Sequence, residues 1–147
     1  MNPKQKQILW VDNQHDYTGA HITRLQAAGH IVSKAWSAEE ALRFLRDPVS
    51  KCDLIILDIL MSEKPVEGQK VGSGKTGLVL YDIIRDDLGF RGPILVVTVV
   101  VDGSVDKAMQ GKETPRGLPV KVLHKPVRPS ELNEAIQAVL PPGDDEE

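Results

Sequence analysis

Short runs of Ile, Val and Leu alternate along this chain with longer stretches whose apolar residues recur every three or four positions. That alternation predicts a parallel sheet with helices on its faces, because each parallel pair needs a crossover and a helix supplies one. Five strands are expected: Gln7 to Val11, Ile31 to Ala35, Asp53 to Leu57, Pro93 to Val97 and Pro119 to Leu123. The runs Leu54-Ile55-Ile56-Leu57 and Ile94-Leu95-Val96-Val97 carry no polar position, so both faces of those strands must be covered and they belong in the middle of the sheet.

The helices between the strands have readable ends. Ser37 followed by Glu40 forms a capping box, Ala38, Ala41, Leu42 and Leu45 mark one apolar stripe, and Asp47-Pro48 stops it. A helix from Tyr17 to Ala28 ends at Gly29, and another from Thr76 to Asp87 ends near Gly89. Pro129-Ser130 starts a last helix with Leu132, Ile136, Val139 and Leu140 on one face, closed by Pro141-Pro142. The fourth crossover is the weakest, since three glycines and Pro115 fall between Val101 and Pro119 and leave only Ser104 to Gln110 for a short or irregular helix.

With 147 residues, 41% hydrophobic and 27% charged, the chain has the size and composition of one globular domain. That domain is expected over residues 7–140, between a disordered N-terminus at 1–6 and an acidic tail at 141–147. A formal charge of −3 argues against nucleic-acid binding, which needs a clustered excess of Lys and Arg. Cys52 is the only cysteine and the four histidines have no metal-binding spacing, which fits a reducing compartment. No leader precedes Ile8 and no apolar run approaches a membrane span, so the expected location is the cytoplasm.

Ligands of open parallel sheets bind beyond the carboxyl ends of the strands, so the residues after each apolar run are the ones that matter. The first strand leads into Asp12-Asn13, the third into Asp58, the fourth into Thr98 and the fifth into His124-Lys125-Pro126. Each alone is explained by ordinary turn chemistry, because polar residues often end strands. Together they place two carboxylates, a hydroxyl and an ammonium on one edge. Paired carboxylates suit a hard cation such as Mg²⁺, a lysine and a hydroxyl can hold phosphoryl oxygens, and a carboxylate nucleophile then needs only in-line positioning and charge neutralisation.

The segments ILWVDN, LIILDILM, PILVVT and VLHKPV, in this order and spacing, resemble the signature segments of bacterial response-regulator receiver domains over residues 7–140. The resemblance implies a flavodoxin-like α/β fold with a doubly wound five-stranded parallel sheet of order 2-1-3-4-5. It implies Asp58 as phosphoacceptor, with Thr98 as the switch hydroxyl, Lys125 as its lysine partner and a cis peptide before Pro126. Mg²⁺ would be held by Asp12, Asn13, Asp58 and the backbone carbonyl of Leu60. The implied partners are a histidine kinase or histidine phosphotransfer protein and a downstream protein target, with no nucleic acid or membrane. Aspartyl phosphorylation and dephosphorylation would be self-catalysed, without conventional enzyme activity. The expectation is a stand-alone receiver, and the competing one a phosphorylation-independent interaction module.

Several positions depart from the family pattern. Asn13 stands where a second acid is usual, which either weakens Mg²⁺ binding and phosphorylation or is tolerated because water completes the shell. Residues 62–76 look like an insertion beside the site, either a solvated loop or a cover for the pocket. Within it, Gly72-Ser73-Gly74-Lys75-Thr76 mimics part of a P-loop, but Gln69 occupies the first glycine position and the preceding strand is too far away, so nucleotide binding is set aside. Val99 replaces a small residue and can restrict access, and Val122 replaces the switch aromatic. His15 and His124 read as surface residues, and Trp10 and Trp36 as packing residues.

Overall fold

A computed structural model describes residues 6–12, 15–59, 76–98, 103–117 and 121–139, with the backbone alone at 15–17 and 76. The elements are β1 (Gln7–Val11), α1 (His15–Ala27), β2 (Ile31–Ala35), α2 (Ala38–Arg46), β3 (Leu54–Asp58), α3 (Thr76–Asp82), β4 (Ile94–Thr98), α4 (Ser104–Glu113), β5 (Val122–His124) and α5 (Pro129–Val139). The strands form one parallel sheet in the order β2-β1-β3-β4-β5, as expected.

Side chains alternate across a strand, and here each face has its own core. Leu9, Val11, Ile55, Leu57 and Val96 pack against α2 and α3 through Ala41, Leu42, Leu80 and Tyr81. Ile8, Trp10, Leu54, Ile56, Leu95 and Val97 pack against α1 and α5 through Leu25, Leu132 and Ile136. Residues of β3 and β4 are buried throughout, which is why their sequence shows no polar alternation. Truncating one of these strand leucines to alanine should cost about 2–5 kcal/mol.

Local signals place the helices. The Ser37 side chain accepts from the Glu40 N–H at 3.0 Å, and the Glu40 carboxylate reaches back to the Trp36 N–H at 2.6 Å. Gly29, at φ +97°, reverses the chain after α1. The predicted helix to Asp87 is interrupted: α3 passes at Ile83 into a π-helical turn, Ile83–Asp87, closed by Leu88 N–H donating to the Ile83 carbonyl at 3.0 Å.

The fourth crossover differs from expectation, because α4 continues through Gly111 to Glu113 and then tightens into a 3₁₀ turn, Thr114–Arg116. Its last turn is held from outside. Glu113 is buried, accepts from Arg85 Nε at 3.1 Å and Nη2 at 2.7 Å, and accepts from the Tyr81 hydroxyl. These contacts offset a helical glycine's cost of about 1 kcal/mol. Strand β5 begins later than Pro119, and residues 118–120 fall outside the described region, as do 60–75 with the expected insertion.

Candidate functional site

The carboxyl edge of the sheet gathers the predicted chemistry. Asp12 directly follows β1, and its N–H donates to the Ala35 carbonyl at 3.1 Å, which extends the β1–β2 ladder one residue past the strand. Asp58 is the last residue of β3 and Thr98 the last of β4. All three are buried. Lys125, just beyond β5, brings its N–H to the Thr98 carbonyl at 2.8 Å, and the Lys125–Pro126 peptide is cis.

The lysine joins the two acids. Its Nζ lies 3.0 Å from Asp12 Oδ2 and 3.3 Å from Asp58 Oδ2, and its side chain is only 6% exposed. Burying an ion costs several kcal/mol unless it is paired, so one ammonium between two carboxylates makes this cluster tolerable inside the fold. Asp12, Asp58, Thr98 and Lys125 therefore meet at one rim. Asn13 and Leu60, the remaining predicted metal ligands, lie outside the described residues, as does Val99.

The carboxylate oxygens of Asp12 and Asp58 suit a hard cation such as Mg²⁺. Among the described residues no three His, Cys, Asp or Glu side chains cluster, so two carboxylates would hold the ion and further oxygen ligands would complete its shell. His124 takes no part in this set, since its Nε2 lies 3.4 Å from Asp106 Oδ1 on α4.

Gly77 fits α3 against the site. A Cβ there would come within 2.5 Å of both the Asp58 carbonyl oxygen and Ile59 Cα, while the Gly77 N–H donates to the Ile59 carbonyl at 3.0 Å. Only glycine lets the helix start this close to the backbone that carries Asp58.

Sequence reasoning missed Lys34. It pairs with Trp10 in the β1–β2 register, two residues before Asp12, and its ammonium donates to the Asp12 carbonyl. The same ammonium lies 3.2 Å from the centroid of the Trp36 ring, giving that ring a role beyond packing. Burial pulls the Lys34 ammonium down to about 8, against the opposing pull of Asp12, Glu40 and Asp58. The one sequence signal was a lysine near the end of a strand that neighbours the acidic rim.

A doubly wound parallel sheet with two acids, a hydroxyl residue and a lysine at its carboxyl edge defines a flavodoxin-like domain of receiver type. No protein-family model matches the sequence. The chain is 32% identical over 139 residues to the probable transcriptional regulator ycf27 of Cyanidium caldarium, an alignment covering 95% of this chain and 48% of that protein. It thus spans about half the length of this curated relative. Vibrio cholerae chemotaxis protein CheY4 superposes with a TM-score of 0.69 at 26% identity, covering 92% of this chain and 99% of that one. A two-component response regulator from Clostridium difficile superposes with a TM-score of 0.68 at 24% identity, covering 92% and 96%. In sequence and in fold the chain is thus similar to response-regulator receiver domains.

Proposed function

We propose that this domain accepts a phosphoryl group on Asp58 from the phosphohistidine of a histidine kinase or phosphotransfer protein, in the cytoplasm, and so switches a surface read by another protein. A carboxylate oxygen of Asp58 attacks phosphorus in line, the P–N bond breaks, and its electron pair returns to the departing imidazole nitrogen. Mg²⁺ bound at Asp12 and Asp58 would supply positive charge against the phosphoryl oxygens. Lys125, already between the acids, can transfer its ammonium from Asp58 to the new phosphoryl group, and the Thr98 hydroxyl can donate to it. The acyl phosphate adds a charge of about −1.5 to −2, which biases the elements carrying Lys125 and Thr98 toward a second arrangement.

The observation that carries this reading is the position of Lys125 Nζ within 3.3 Å of both carboxylates, because a phosphoacceptor acid needs a resident cation beside it. The test is intact-mass measurement after incubation with acetyl phosphate and Mg²⁺. Wild type should gain one phosphate and Asp58→Asn none. A second reading, a phosphorylation-independent interaction module, is favoured by the neutral Asn13 in place of an acid. It prevails if wild type gains no mass from either acetyl phosphate or a cognate kinase.

A further inference from the structure

Lys34 sits on the edge strand β2, where a lysine is usually a solvated side chain that keeps the edge soluble. Here it is half-buried and held in place by the rim. Its Nζ donates to the Asp12 carbonyl, and the Trp36 ring lies 3.2 Å away. The backbone carrying the Trp36 ring is anchored, because the Trp36 main-chain N–H donates to Glu40 Oε1 at 2.6 Å next to the Ser37 cap of α2. Fixing a long flexible side chain is entropically unfavourable, so these contacts mark a built arrangement and not a passing one.

The consequence lies in the local charge. Asp12 and Asp58 contribute two negative charges, and Lys125 and Lys34 two positive ones, so this set is formally neutral before any metal arrives. Lys125 contacts both carboxylates directly and can turn toward a phosphoryl group. Lys34 would have to abandon both the Trp36 face and the Asp12 carbonyl to leave.

We propose that Lys34 is a built-in counter-cation of the acidic rim, competing with the divalent cation there and holding its affinity down. This rests on the reading of Asp12 and Asp58 as the cation and phosphoacceptor site, and it adds a residue that sets how much Mg²⁺ the switch requires.

The experiment is calorimetric titration of Mg²⁺ into the full chain at low ionic strength, for wild type, Lys34→Met, Lys34→Arg and Asp58→Asn, each with a melting curve to verify folding. Removing one positive charge beside the ion should tighten Mg²⁺ binding roughly five- to twentyfold in Lys34→Met. Lys34→Arg keeps the charge and should stay at the wild-type affinity, which a purely structural lysine would not require. Equal or weaker binding in Lys34→Met overturns the proposal, as does heat no greater than that of Asp58→Asn in both wild type and Lys34→Met. Failure of the phosphoacceptor reading looks different: no phosphate is gained from acetyl phosphate, while the titrations still separate Lys34→Met from wild type.

Discussion

His21 on α1 is buried, and its ring lies 5.9 Å from that of Trp10. Burial and the nearby Arg24 charge push its imidazole below the ordinary 6.5, while a hydrogen bond to the Val127 backbone pulls the other way. Between the depressed folded pKa and 6.5 the unfolded chain binds more protons than the native one, so stability rises with pH through that window and levels off above it. Urea unfolding at pH 5 and 7.5 should show this increment in wild type and a smaller one in His21→Gln. Gly77 is testable in the same way. Gly77→Ala puts a methyl within 2.5 Å of the Asp58 carbonyl and should cost about 1–3 kcal/mol in urea unfolding and, on the proposed function, reduce the mass gain from acetyl phosphate. Asp12, Asp58 and Thr98 were readable because each follows directly on a strand's apolar run, and Lys125 because it follows one residue later, where topology fixes the edge they share. Lys34 was not, because its importance depends on the β1–β2 register and on where a long side chain ends, and neither is a property of local pattern.

Among the elements, α3 and α4 are coupled more tightly than glycine-rich residues 103–117 suggest. Arg85, on the π-helical turn, meets Glu113 on α4 with both side chains about 1% exposed, and its Nη1 also donates to the Phe90 and Gly92 carbonyls at 2.9 and 2.6 Å. Burial and the Glu113 hydrogen bond push the Tyr81 phenol up to about 12, so it stays a donor throughout the neutral range. Outside this buried cluster, Lys112–Asp82 at 2.7 Å and Arg116–Asp86 at 2.5 Å join the same two segments. Exposed pairs contribute at most about 1 kcal/mol each, so the buried pair dominates. Glu113→Leu leaves Arg85 buried without its carboxylate and should lose about 3–5 kcal/mol in urea unfolding, whereas Arg85→Met combined with Glu113→Leu should recover most of it. Equal losses in the single and double variants would mean that the pair does not act as a unit. The sequence gives α2 its boundaries through Ser37, Glu40 and Asp47, all local signals. It hides the full length of α4, because the residues that hold its last turn lie on another helix.

Across the whole molecule, the rim also serves as a tether. Strand β5 has three residues, all half-buried, and among the described residues pairs only with β4, so its ladder is the shortest in the sheet. Helix α5 is secured separately by Leu132, Ala135 and Ile136 in the core. Between them Lys125 links the end of the chain to β1 and β3 through Asp12 and Asp58, across 113 and 67 residues of sequence. Any ligand that draws the Lys125 ammonium to itself therefore alters how β5 is held, which is a physical route from the proposed phosphoacceptor to a distant surface. Lys125→Met removes the tether and leaves two buried carboxylates facing each other. Native-state hydrogen exchange should then show faster exchange at residues 122–125, while Ile55–Leu57 and Leu95–Val97 keep exchanging only through global unfolding. The order of opening decides the point. If protection falls by the same factor in every strand, Lys125 contributes only to overall stability, and the rim has no mechanical hold on the edge of the sheet.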